Sequence, residues 1–217
     1  MIGTDRQQPQ AHSSNTEELR HVFLLRVHEL LQLGYQRMKA QAFAFREEPD
    51  ITGELAREMN VALSEHDWGK SFWVRDEVPV NDGKRFGKHR NKIDIYVESS
   101  ESAPRPQFSF EAKRLSHTKP AREYLGREGL GCFLEGDYAA EDSAAGMLGY
   151  IQSKLPQEWA QELEERLMAP DNPYRLTAEG YWRSHPFPRG PSHSYMSEHQ
   201  RTVHGRIAIY HTLLVFH

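Results

Sequence analysis

The segment from Lys92 to Leu115 constrains the fold most, because it holds two apolar runs that acidic residues interrupt. The runs are rich in β-forming residues, and a serine- and proline-rich loop separates them, which predicts strands at about 93–97 and 107–112. Asp94 falls in the first run, and Glu111 and Lys113 fall in or just after the second. An ionised side chain in a buried strand costs several kcal/mol unless it is paired or bound to a metal. These charges therefore indicate a functional site.

Strand geometry predicts how the three charged side chains are arranged. Alternate side chains of a strand share a face, so Glu111 and Lys113 lie side by side, and Asp94 points away from the isoleucines that flank it. If the two strands are neighbours, Asp94 and Glu111 converge. Adjacent carboxylates repel unless a proton or cation lies between them, and oxygen ligands suit Mg²⁺ or Mn²⁺. A lysine beside such a site can stabilise charge on a phosphate or orient an attacking water.

This arrangement resembles the PD-(D/E)XK nuclease superfamily, which has the restriction-endonuclease-like fold. The resemblance rests on Ile93-Asp94-Ile95 in one strand and Glu111-Ala112-Lys113 in the next, with helices before and after. Ile93 stands where the superfamily's name has a proline. The core signature covers about residues 48–154. The fold that the resemblance implies is α/β (α+β), with a mixed β-sheet flanked by helices on both faces.

The resemblance also implies roles for individual residues. Asp94, Glu111 and the carbonyl of Ala112 would hold Mg²⁺ or Mn²⁺, and Lys113 would be the catalytic lysine. Many members of the superfamily add an acidic residue from the first core helix and a polar residue from the helix after the E-x-K strand. For the polar residue, Gln152 is the candidate.

Three glutamates compete for the acidic position on the first core helix: Glu48, Glu54 and Glu58. Glu48 lies three residues before Ile51 and seven before Leu55, which places it on the inward face of the helix. The other two glutamates fall on the flanks of that face. We therefore favour Glu48 as a catalytic residue.

The remainder of the chain predicts a single domain over residues 17–217. Residues 1–16 are polar and lack apolar periodicity, so they are interpreted as a flexible N-terminal tail. A C-terminal extension starts at about residue 171, and the pattern over 171–197 fits no element. The other expected elements are a helix from Glu17, a helix from about Ile51, a strand at 71–80 with a turn at 81–83, helices at 142–154 and 156–168, and a doubly covered strand at the C-terminus.

Local basic residues matter more than the total charge, because the formal net charge of −4 disfavours general attraction to nucleic acid. The run from Lys84 to Lys92 lies just before the Asp94 strand. Such a run is usually a solvated hairpin or a guard at a sheet edge. In the nuclease interpretation it faces the phosphate backbone. The predicted nucleic-acid-binding residues are Lys88, Arg90, Lys92 and Arg114.

Composition excludes several classes of protein. The single cysteine, Cys132, permits neither an internal disulfide nor a cysteine-built zinc site, so it is expected to be a small buried residue in a reducing cytoplasmic setting. No apolar run approaches the roughly 20 residues of a membrane span, and the N-terminus lacks the core of a signal peptide. The twelve histidines show no zinc-site spacing.

Two functions therefore remain. The first is a Mg²⁺-dependent nuclease that acts on DNA, with RNA as the less favoured substrate. Small proteins that resemble this superfamily serve in bacterial restriction or anti-phage defence, where a partner protein supplies targeting; a homodimer is left open. The alternative is a non-catalytic nucleic-acid-binding or assembly subunit with a nuclease-like fold. No signature of a base-sequence reader is present.

Overall fold

A computed structural model describes residues 10–80, 90–203 and 205–217, with side chains described from residue 17 onward. Seven strands form one sheet in the order β1-β2-β3-β4-β7-β6-β5. The strands are β1 (Phe72–Pro79), β2 (Lys92–Ser99), β3 (Gln107–Leu115), β4 (Ala144–Ile151), β5 (Arg183–Ser184), β6 (Ser194–Gln200) and β7 (Arg206–Val215). The α-helices are α1 (Gln10–Arg37), α2 (Glu48–Ser64), α3 (Ala121–Tyr124), α4 (Leu130–Leu134) and α5 (Pro156–Leu167).

The sheet is mixed, with parallel pairing in its centre and antiparallel pairing on both sides. β3, β4 and β7 are parallel, whereas β1, β2 and β3 form an antiparallel meander and β6 runs antiparallel to β7. The expected mixed sheet is confirmed, and so is the adjacency of the two strands that carry Asp94 and Glu111.

Helices cover both faces of the sheet, as expected. On one face, α1 and α2 form a core with the sheet that includes Leu30, Leu55, Met59, Val97 and Phe110. On the other face, α3, α4 and α5 form a second core that includes Tyr124, Phe133, Trp159, Met147 and Leu213. None of the helices in the described ranges has the length and apolar character that a membrane crossing requires.

The helix predicted for residues 142–154 is wrong, because this segment forms the buried central strand β4. Its small residues permit close packing across the sheet. A Cβ on Gly146 would lie 2.2 Å from the Phe110 ring, and a Cβ on Gly149 would lie 2.7 Å from both Leu115 and Leu213. Since both faces of β4 are covered, the segment lacks the alternation that marks a half-buried strand.

Several element boundaries differ from the sequence-based expectation. α1 already begins at Gln10, inside the segment interpreted as a tail, and α2 begins at Glu48. Residues 171–197 contain β5 and the start of β6, and β6 pairs with β7 of the same sheet. β7 is the C-terminal strand with apolar residues on both faces that the sequence predicts. The expected turn at 81–83 lies outside the described residues.

A buried chain of polar side chains links β6, β7 and α3. Ser197 Oγ lies 2.7 Å from His199 Nε2 and 2.8 Å from His211 Nε2, and His211 Nδ1 lies 3.0 Å from the Tyr124 hydroxyl. His199 Nδ1 can donate to the carbonyl of Tyr174 at 2.7 Å, which leaves Nε2 to accept from Ser197. Both histidines are thus satisfied while neutral. Burial lowers the pKa of His199 to about 4 and that of His211 well below its usual value.

His28 on α1 is a buried polar residue among aromatic side chains. Its ring stacks on Phe187 at a centroid distance of 3.6 Å and meets the edges of Phe108 and Phe110. Neither ring nitrogen has a hydrogen-bond partner in the described part of the chain. Burial, with a smaller contribution from His185, lowers the pKa of His28 from 6.5 to about 3. The imidazole therefore acts as a neutral aromatic ring in the core.

We predict that His28→Phe flattens the dependence of stability on pH. A histidine with a lowered folded-state pKa contributes stability that is present above 6.5 and lost as the pH falls towards 3. Between pH 6.5 and pH 5 the parent should lose about 2 kcal/mol that the variant keeps. Urea denaturation at the two pH values measures the difference. The matched control is His117→Phe at an exposed position, and equal losses in parent and His28→Phe would contradict the prediction.

Candidate functional site

The site lies where β2 and β3 separate. The last pair in their antiparallel register is Ile95 with Phe110, whereas β2 continues to pair with β1 as far as Lys92. At the opening, Asp94 Oδ2 accepts a 2.7 Å hydrogen bond from the backbone N–H of Ala112. The Asp94 carboxylate thus takes the place of a backbone carbonyl, and its orientation is fixed by the neighbouring strand.

The Lys113 ammonium is the centre of the cluster. Its Nζ donates to Glu111 Oε1 at 2.7 Å, to Glu48 Oε1 at 3.0 Å and to the carbonyl of Ala112 at 2.6 Å. An ammonium has three donors, and all three are used. Only 16% of the Lys113 side chain and 6% of the Glu111 side chain are exposed, so solvent screens this pair weakly.

Glu48 reaches the cluster because α2 begins at that residue. Pro49 follows it and favours the first turn of a helix, where its missing N–H costs no hydrogen bond. Glu48 Oε2 also accepts the backbone N–H of Arg114 at 3.3 Å. The α2 N-terminus and β3 are thereby joined at the site.

The other two glutamates of α2 have different partners. Glu54 pairs with Arg57, and Glu58 pairs with both Arg57 and Arg37. Of the three candidates, Glu48 is therefore the one that the structure places beside Lys113.

The charged groups of the cluster shift the pKa values of Asp94, Glu111 and Lys113. Burial, opposed by Lys113 and the Ala112 N–H, raises the pKa of Asp94 to about 6. Burial and then repulsion from Asp94 raise the pKa of Glu111 well above its usual value. Burial disfavours the charged form of Lys113, but the three carboxylates outweigh this effect and raise its pKa. The lysine therefore stays cationic. Ionisation of the Asp94 and Glu111 carboxylates, in contrast, costs more free energy here than it would in water.

The donor set suits a hard divalent cation. It consists of the carboxylates of Asp94 and Glu111 and the carbonyl oxygen of Ala112, and Mg²⁺ and Mn²⁺ prefer such oxygen ligands. Glu111 Oε2 is buried and has no hydrogen-bond partner among the described residues, so one candidate ligand oxygen is unused there. Over the described part of the chain, no group of three or more His, Cys, Asp or Glu side chains is arranged to hold a metal. Any metal here would therefore need the carbonyl or water to complete its shell.

A polar cleft of about 370 Å³ opens beside the cluster. Glu111 and Lys113 line it together with Lys92, Arg127 and Tyr138. A larger cavity of about 650 Å³ lies between α1 and the 102–108 segment, but none of the predicted site residues lines it. The smaller cleft is therefore the one that belongs to the candidate site.

The predicted nucleic-acid-binding residues fall in different places. Lys92 lines the cleft and pairs with Glu77 at 2.8 Å. Arg114 does not line it, because its guanidinium pairs with Glu47 at 2.5 Å. Arg90 lies two residues before the start of β2, and Lys88 lies outside the described residues.

Gln152 is not a helix residue, contrary to expectation, and it lies outside the cluster. It follows β4, and its side-chain amide donates to the carbonyls of Phe43 and Arg46. Its role in the structure is to fix the loop before α2.

The α3–α4 segment supplies residues of the cleft that sequence reasoning did not identify. Arg127, Tyr138 and Cys132 line the cleft, and Cys132 is buried as expected. No spacing in the sequence relates them to Glu111, because the chain brings them there only through the packing of α3 and α4 on the sheet.

No family model, curated protein or solved structure matches the chain. The interpretation of the site therefore rests on its geometry.

We predict opposite effects on stability from removing the two members of the buried ion pair. Glu111→Gln should leave the free energy of unfolding at neutral pH unchanged or higher, because it removes repulsion with Asp94 and an ionised oxygen without a partner. Lys113→Met should lower it by about 3 kcal/mol, because the buried carboxylates lose their counterion. Urea denaturation in EDTA measures the free energy of unfolding of the parent and of both variants. In the double variant the loss should be smaller than for Lys113→Met alone, and a larger loss would contradict this account.

Proposed function

We propose that the protein is a metal-dependent nuclease with the PD-(D/E)XK site arrangement on a restriction-endonuclease-like fold. The observation that carries the proposal is the position of Lys113, which bonds to Glu111 and Glu48 beside Asp94 at the opening between two adjacent strands. A pure scaffold has no physical need for three carboxylates and a lysine at this point in a sheet.

The residues of the cluster have separate roles in this proposal. Asp94, Glu111 and the Ala112 carbonyl would hold Mg²⁺ or Mn²⁺, which supplies Lewis-acid charge and lowers the pKa of bound water. Lys113 places its ammonium where it can stabilise negative charge that develops on the attacked phosphate. Glu48 forms a second ion pair with that ammonium, so it positions Lys113 and keeps it charged. The favoured substrate is DNA.

A non-catalytic nucleic-acid-binding subunit is the second candidate function. It is supported by the ion pairs of Lys113, which already give Glu111 and Glu48 a shared counterion. In this role Lys113 is one phosphate contact among several. The two functions make different predictions for the same variant.

We predict that Lys113→Ala and Glu111→Gln lower Mg²⁺-dependent DNA cleavage by a factor of about 10² or more, because each removes charge that acts on the transition state. The matched control is Glu54→Gln, which removes a carboxylate from the same helix as Glu48 but outside the site. Cleavage of duplex, single-stranded and structured DNA is measured with folding checked by circular dichroism. Parent-like cleavage by Glu111→Gln would exclude it as a metal ligand.

Binding measurements distinguish the enzyme from the binding subunit. For the enzyme, Lys113→Ala should weaken DNA binding only modestly while cleavage is lost. For the binding subunit, the parent cleaves none of the substrates, and Lys113→Ala lowers the salt dependence of binding by about one unit, as Arg90→Ala does. The second pattern would defeat the enzymatic proposal.

A further inference from the structure

Arg127 differs from the two lysines that line the cleft in its ion pairing. Among the residues that the structure describes, three cations and three carboxylates line the cleft. Lys113 is engaged by Glu111 and Glu48, and Lys92 by Glu77. Arg127 is exposed, and it forms no ion pair with any of the described residues. Its guanidinium is therefore available to an external anion.

The backbone of Arg127 is held in place by its surroundings. The Cys132 thiol lies 3.3 Å from the Arg127 carbonyl, to which it can donate. The N–H groups of Gly129 and Gly131 both donate to the carbonyl of Gly126, which closes a tight turn around Arg127. A Cβ on Gly129 would lie 2.1 Å from a backbone oxygen of Tyr124, so only glycine fits this packing. The turn thus fixes the backbone of Arg127 at a point from which this residue lines the cleft.

The geometry points to a phosphate as the ligand of Arg127. Glu111 and Lys113 of β3 line the cleft together with Arg127 from the turn between α3 and α4, and a guanidinium can bind two phosphate oxygens in parallel. Glu128 and Asp137 also line the cleft, so the charges of the described lining residues balance, and a divalent cation would make this part of the lining positive. An anion is then attracted to the side of the cleft that holds the free guanidinium.

We propose that Arg127 binds a backbone phosphate of the nucleic-acid substrate next to the phosphate that is attacked. This inference rests on the proposed nuclease function. It assigns Arg127 a role in binding and register, whereas Lys113 acts on the reacting phosphate. The turn between α3 and α4, which carries none of the residues predicted from the sequence, would then contribute to substrate binding.

The test compares Arg127→Ala with Arg122→Ala, which removes an exposed arginine of α3 that does not line the cleft. With Ca²⁺ in place of Mg²⁺, Arg127→Ala should raise the dissociation constant for DNA by about tenfold and lower the salt slope by about 0.9, the effect of one phosphate contact. In Mg²⁺ it should raise KM by a similar factor with kcat nearly unchanged. Arg122→Ala should match the parent, and Arg127→Lys should recover the salt slope but only part of the affinity.

The outcomes separate this inference from the proposed function. A parent protein that cleaves no DNA overturns the nuclease proposal whatever Arg127 does. If the parent cleaves DNA and Arg127→Ala equals Arg122→Ala in affinity, salt slope and KM, Arg127 contributes no more than surface charge and the inference is wrong.

Discussion

The buried ammonium of Lys113 allows three carboxylates to occupy one end of the sheet. Asp94 and Glu111 come from two consecutive strands and Glu48 from the start of α2, and each of the three raises the pKa of Lys113. Without a cation the cost of burying charges of the same sign would reach several kcal/mol. The ion pairs with Glu48 and Glu111 also join the start of α2 to β3. The geometry of the site and the local stability of the fold therefore depend on the same interaction.

The separation of β2 from β3 leaves room for the cleft beside this cluster. A continuous antiparallel ladder would leave Asp94 and Glu111 as an ordinary cross-strand pair. Here the ladder ends at Ile95 and Phe110, and the Asp94 carboxylate takes the Ala112 N–H. The hydrogen bond keeps the backbone satisfied where the strands part. A cleft can then open beside Glu111 without the free energy cost of an unpaired buried amide.

The sequence predicts the elements that carry the charged motif, and their relative positions follow from simple rules. Strand alternation places Glu111 beside Lys113, and the helical period favours Glu48 over Glu54 and Glu58. β4 was not predicted, because a strand that is buried on both faces has no alternation, and its alanines favour a helix. The small residues are instead required by the Phe110 and Leu213 side chains that pack against them.

Features that depend on tertiary packing could not be predicted from local patterns. Arg127 and Tyr138 reach the cleft only because α3 and α4 pack on the sheet, and His28 lies among aromatic rings from distant segments. A histidine on the inward side of an amphipathic helix gives no sign of whether its nitrogens find partners. Burial and hydrogen bonding decide its protonation, and both depend on the assembled fold.

Binding of a metal by the carboxylates is the central claim of this account, and a crystal of the protein grown or soaked in Mn²⁺ tests it most directly. Anomalous diffraction locates manganese without reference to activity. We predict an anomalous peak within coordination distance, about 2.2 Å, of oxygens from Asp94, Glu111 and the Ala112 carbonyl. The peak should be absent in Glu111→Gln crystals treated in the same way. A map without such a peak at millimolar Mn²⁺, with Lys113 still bound between Glu48 and Glu111, would contradict the claim.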